Sequence, residues 1–152
     1  KGAVPAVTLL ALAYSINALS KDMGTANYIV SLSESFLTPA MFPAIIFIIS
    51  AIMAFATGSS WGTFAICMPI ALPLAFTFTG GELGTLVYAC FGAVAGGGVF
   101  GDHCSPLSDT TVLSSTGSAS DHIDHVQTQL PYALCCGALA VILYLVIGFM
   151  FV

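Results

Sequence analysis

Arginine is absent from this 152-residue chain, lysine occurs only at positions 1 and 21, and charged residues make up 6% of the whole. A protein that grips nucleic acid needs a basic face, and two lysines cannot build one, so no nucleic-acid partner is expected. Seven Asp and Glu against two Lys leave a net charge of −5, with too few cations to set orientation by the positive-inside rule. The scarcity is also uneven. No Asp, Glu, Lys, Arg or His lies between Glu34 and Glu82, and no charged residue lies from Val126 to Val152. Nor do the five cysteines suggest a disulfide framework. Cys67, Cys90, Cys135 and Cys136 sit in apolar sequence, where cysteine behaves as a small hydrophobe, and Cys104 alone has polar neighbours.

What fills the chain is apolar: 58% hydrophobic residues and a mean hydropathy of +1.02, against a soluble norm of about 25% charged residues. A bilayer core needs roughly 20 apolar residues per helix, so each charge-free run can span and the longer one can span twice. The composition predicts an all-α integral membrane protein with about five to six transmembrane segments, some interrupted or re-entrant. Its partner is membrane lipid, and residues 1–152 form one unit. Lys1 and Gly2 lead straight into apolar sequence with no initiating Met or signal-cleavage pattern, so the chain reads as a fragment of a longer protein.

Apolar spans are expected over Ala3 to Ser20, from Thr38-Pro39 to about Thr57, from Phe64 to Phe78, over Leu83 to Gly101, and over Tyr132 to Val152. Tyr28 to Leu32 reads as a short interfacial helix, and Thr79 to Glu82 as a turn in water. Gly92 and Gly96 are spaced for close helix packing, as are Gly97 and Gly101, and the first pair is expected at a helix contact. The triplet Gly96-Gly97-Gly98 is expected to distort its span, each glycine costing roughly 1 kcal/mol of helix propensity.

Two polar stretches interrupt this pattern. TGSSWGT, Thr57 to Thr63, contains two glycines, two serines and two threonines and no charge. It is either a surface loop between two spans or a break at membrane depth, and the lack of charge favours depth. FGDHCSPLSDTTVLSS, Phe100 to Ser115, sets Asp102, His103 and Asp109 among hydroxyls, a thiol and a proline. The two lie about 45 residues apart. Paired interruptions mark the midplane site of a transporter, and broken backbone in lipid needs protein or a water cavity to cover it. The breaks are therefore expected to face each other.

Ionisable groups at membrane depth are expensive and usually handle ions, protons or a polar substrate. An alkali cation stripped of water requires hard oxygen ligands. Thr57, Ser59, Ser60 and Thr63 on one break offer them, with Ser105, Ser108, Thr110 and Thr111 on the other. Asp102 and Asp109 would supply the charge that holds sodium. Desolvation raises a buried carboxylate's proton affinity and a neighbouring cation lowers it, so such a site holds sodium or a proton in alternation. Sodium and the proton are transported species, and no cofactor is called for.

Each residue also has a plainer role. Asp102 can be a helix-terminal residue in headgroup water, and Asp109 an N-cap for a helix starting at Thr110. His103 can carry protons, orient Asp102 or lie at the interface. Ser59, Ser60 and Thr63 can merely satisfy broken backbone. Trp61 reads as an interface anchor or packing residue. DHIDH, Asp121 to His125, places two histidines three apart, but a zinc site needs further ligands, and a solvated face of a connecting helix fits better. Two other classes compete with transport. A membrane metalloenzyme would use His103, His122 and His125, and an assembly subunit would use its acids only as helix caps.

The segments FATGSSWGTFAICMPIALPLA and FGDHCSPLSDTTVLSSTGSASDHIDHVQTQLPYAL resemble the signature segments of the NhaC-type sodium/proton antiporter family. KDMGTANYIVSL is similar to the interfacial stretch that precedes them. The resemblance implies a fold of two inverted repeats, of which this chain is the second, C-terminal half. The missing N-terminal half is then a partner, a homodimer is a further expectation, and the chain is not an enzyme. It implies sodium export coupled to proton entry across a bacterial inner membrane, with exchange of small organic acids such as malate or lactate as the alternative. Carboxylates are commonly gripped by arginine, and its absence tilts the reading towards a bare cation.

Overall fold

A computed structural model describes residues 38–152, together with 15, 19, 22 and 23. The span expected over Ala3 to Ser20 and the interfacial stretch Tyr28 to Leu32 lie outside the described residues. Five helices follow: α1 (Phe42–Thr57), α2 (Ser60–Phe78), α3 (Thr85–Cys104), α4 (Asp109–Gly117) and α5 (His122–Phe151). Among the described residues, α2, α3 and α5 are long and apolar enough to cross a membrane, and α1, at 16 residues, is apolar but shorter. This is a helical membrane protein.

α3 is the centre, with α1, α2 and α5 packed around it. In lipid the apolar effect cannot drive helices together, so close backbone approach and van der Waals contact must. Gly97 and Gly101 provide that approach. A Cβ on Gly97 would collide with the Phe47 carbonyl oxygen, and one on Gly101 with the Ala51 carbonyl oxygen. Gly92 and Gly96 lie at helix contacts as expected, against the Tyr144 hydroxyl of α5 and the Phe47 ring of α1, while Gly97 and Gly101 give the closest backbone approach. One expectation for this region needs correction. The glycine triplet does not distort α3, because what it loses in propensity it returns as contact with α1 and, at Gly98, with the Phe64 ring. Phe42, Phe47, Leu74, Leu86 and Val94 fill the remaining core. Phe42 meets Phe78 edge-on at 5.5 Å, and Phe47 meets Tyr144 of α5 at 5.5 Å.

Helix boundaries also differ from expectation. α2 starts at Ser60, so TGSSWGT is broken only at Gly58 and Ser59. α5 runs through Pro131, which lies exposed inside the helix, and begins ten residues before Tyr132. The polar segment before Pro131 is thus the first part of a 30-residue helix, about 45 Å long. Near the other end of the bundle, Gly80 and Gly81 take positive φ in the turn between α2 and α3.

Candidate functional site

The two breaks meet. α1 ends because Gly58 adopts a left-handed conformation, φ 65°, and its N–H bonds back to the Ala54 carbonyl at 2.8 Å. Glycine suits that backbone, and here it is needed twice over. A Cβ on Gly58 would sit 2.7 Å from the Leu107 carbonyl carbon and 2.9 Å from the Ser108 nitrogen. The linker Ser105 to Ser108, between α3 and α4, therefore lies directly on the end of α1. The Ser105 hydroxyl closes the join by donating to the Phe55 carbonyl at 2.7 Å, and it accepts from the Leu107 N–H at 3.1 Å. Phe55 lies in the last turn of α1, where carbonyls lack helical partners, so a residue fifty positions away completes the helix end.

Asp102 lies in the last turn of α3 and is buried, 7% exposed. It is therefore not a helix-terminal group in water. Its Oδ1 accepts from the Ser108 hydroxyl at 2.7 Å. Ser108, fully buried, is also the N-cap of α4, accepting from the Thr110 N–H at 3.2 Å and lying 2.7 Å from the Thr110 hydroxyl. Because the Ser108 hydroxyl donates to Asp102, the Thr110 hydroxyl donates to Ser108, so Asp102, Ser108 and Thr110 form one hydrogen-bonded chain. No lysine or arginine occurs among the described residues, and no ion pair reaches Asp102 there. A buried carboxylate is tolerable only when its charge is matched or neutralised.

The remaining candidates fall elsewhere. Asp109 is exposed and is the first residue of α4, not its cap. It shares no hydrogen bond with Asp102, so the two acids are not brought together as a bonded pair. His103 is exposed and meets Gln129 rather than orienting Asp102, with Nδ1 2.7 Å from Gln129 Nε2. Thr111 is buried and donates to the His103 carbonyl at 3.1 Å, fixing α4 against α3. On the first break the hydroxyls turn inward on their own helices. Thr57, exposed, donates to Met53 O, and Thr63, buried, to Ser59 O. Ser59 caps α2 by accepting from the Gly62 N–H, and Ser60 is half-buried. What this break presents to the other is backbone, the Phe55 carbonyl and Gly58, rather than the expected hydroxyls. Helix caps and i−4 carbonyls capture short hydroxyl side chains before a distant partner can.

Three contributors escape a reading of the sequence. The Phe55 carbonyl carries no side-chain signal. Gln129 meets His103 only because α5 extends before Pro131. His122 is half-buried, with its ring bonded to the Pro106 carbonyl and to Ser115, so it is not part of a solvated face. The DHIDH spacing was the signal for it, but not its direction. His103, His122 and His125 do not converge, and among the described residues no group of three or more His, Cys, Asp or Glu could hold a metal ion. Cys104 is buried and donates to the Phe100 carbonyl, while Cys135 and Cys136 are exposed on α5. Trp61 is 71% exposed, edge-on to Phe64.

An uncharacterised protein of Haemophilus influenzae is 46% identical over 144 residues, which cover 95% of this chain and 27% of that protein. The arginine/ornithine antiporter ArcD of Halobacterium salinarum is 37% identical over 95% of this chain and 29% of its own length. The malate-2H(+)/Na(+)-lactate antiporter of Bacillus subtilis is 35% identical over 84% of this chain and 26% of its own. The chain thus spans less than a third of the length of these curated relatives. No solved structure matches it. Residues 1–149 match the model of the Na+/H+ antiporter family, and with its two signature segments at the meeting breaks the chain belongs to that family, in its NhaC-type group.

Proposed function

We propose that this chain carries part of the cation site of a secondary antiporter that exchanges sodium for protons across a bacterial inner membrane. The observation that carries the reading is Asp102, a carboxylate buried at the junction of two helix breaks, with a serine hydroxyl and no positive side chain beside it among the described residues. Sodium and a proton are alternative ways to neutralise that charge. Hydroxyls of Ser108 and Thr110 and carbonyls freed at the helix ends are oxygen donors suited to a hard cation. Protonated, Asp102 loses its charge and releases sodium. Deprotonated, it draws sodium back. Asp109, exposed at the start of α4, faces outward from the described helices and would act with the rest of the transporter, a partner together with lipid. A homodimer is compatible with this reading.

A second reading is exchange of a small organic or amino acid coupled to the cation, favoured by the names of two relatives, one an arginine/ornithine and one a malate/lactate antiporter. The N-termini of α2 and α4 would then face the anionic group.

The test uses the full-length protein in vesicles, following sodium and proton movement together. Asp102→Asn is expected to abolish coupled exchange with normal expression, and Asp109→Asn to weaken it less. Sodium affinity is expected to fall as the pH falls, because protons occupy the carboxylate. Normal exchange by Asp102→Asn would end the mechanism. Uptake of labelled malate, lactate or arginine in place of sodium would move the assignment to the second reading.

A further inference from the structure

The linker Ser105 to Ser108 is held from two sides. On one side α1 grips it through Phe55 and Gly58. On the other stands His122, the first residue of α5, with Nε2 2.8 Å from the Pro106 carbonyl and Nδ1 3.2 Å from Ser115 Oγ. Ser115, 1% exposed, belongs to α4, so one imidazole ties the linker, α4 and α5 together. Two residues along from Pro106 is Ser108, the hydrogen-bond donor to Asp102.

The two ring nitrogens play different parts. A carbonyl only accepts, so Nε2 must carry a hydrogen towards Pro106. The Ser115 hydroxyl lies within reach of both the ring Nδ1, at 3.2 Å, and the Val112 carbonyl, at 3.0 Å. A neutral ring protonated on Nε2 therefore holds the linker while its other nitrogen faces Ser115.

The charged groups nearby are few. On its own helix lie Asp121, Asp124 and His125, with the Asp121 carboxylate taken up by the Ile123 and Asp124 N–H groups. α4 brings Asp109, α3 brings Asp102 and His103, and α1 has no ionisable group.

We propose that His122 is a positioning residue: held between Pro106 and Ser115, it sets the linker that presents Ser108 to Asp102, and it does so without touching a transported ion. This rests on the proposed role of Asp102 and Ser108.

The experiment measures substrate KM and kcat in vesicles of the full-length protein at one fixed pH. His122→Ala is expected to raise KM about three- to tenfold, the worth of one or two hydrogen bonds, with a smaller change in kcat. His122→Gln keeps a donor for Pro106, and its KM is expected to return to within about threefold of wild type. A wild-type KM in the Ala variant, or a Gln variant no better than Ala, would overturn the positioning role. Should the Ala variant fail to fold, His122→Phe, which fills the space without a donor, takes its place, and a wild-type KM there would overturn the proposal. If the wild-type protein moves no sodium but carries an organic acid, the same series with that acid tests His122, and only the sodium reading falls.

Discussion

The two helix breaks meet at one place yet use their side chains differently. The first, around Gly58 and Ser59, keeps its hydroxyls to itself: Thr57, Ser59 and Thr63 all bond within their own helices. The second, Ser105 to Ser108, also caps itself through the Leu107 and Thr110 N–H groups, but in addition reaches outward to α1, to Asp102 and to the start of α5. A self-capped break is a fixed shape against which something else is placed. A break whose bonds run to three other helices can change when any of those partners changes. The buried acid sits on the second, the side that can respond.

The largest effect expected from challenging this contrast is at Gly58. Gly58→Val imposes a side chain on left-handed backbone, about 1–2 kcal/mol by itself, and drives a Cβ into Leu107 and Ser108. It is expected to lower thermal stability in detergent by several degrees and to abolish exchange, and a stable, active variant would mean that the breaks do not touch. Next comes Ser105→Ala, which leaves the Phe55 carbonyl without its donor. It is expected to cost about 1–2 kcal/mol in unfolding and to raise substrate KM. Smallest is Ser59→Ala, which removes a local cap worth about 1 kcal/mol. Its effect on KM is expected to be clearly less than that of Ser105→Ala. A larger one would invert the comparison and make the first break the responsive side.

Much of the fold was legible because hydropathy and charge are properties of single residues read in order. The apolar runs gave the helices, and the polar interruptions marked where two helix pairs separate. Boundaries were less legible. Gly96 to Gly98 look like a break by propensity, yet α3 runs through them, since helix–helix contact outweighs a propensity term of about 1 kcal/mol per glycine, and α5 likewise runs through Pro131. At the candidate site, Asp102, Ser105 and Ser108 were visible as polar groups in an apolar setting. Asp109 and Asp102 looked equivalent in sequence, because a string of residues does not say which face of a helix turns inward.

By itself the sequence determined that this is a helical membrane protein with two polar breaks, because the transfer of charge and apolar surface between water and lipid depends on residue type. Only the tertiary structure decided that Gly58 lies against Leu107, that the Phe55 carbonyl is capped by Ser105, and that His122 holds Pro106. Those are meetings of backbone and side chain across distances of tens of residues, and hydrogen bonds depend on direction and separation in space, which composition and periodicity do not encode.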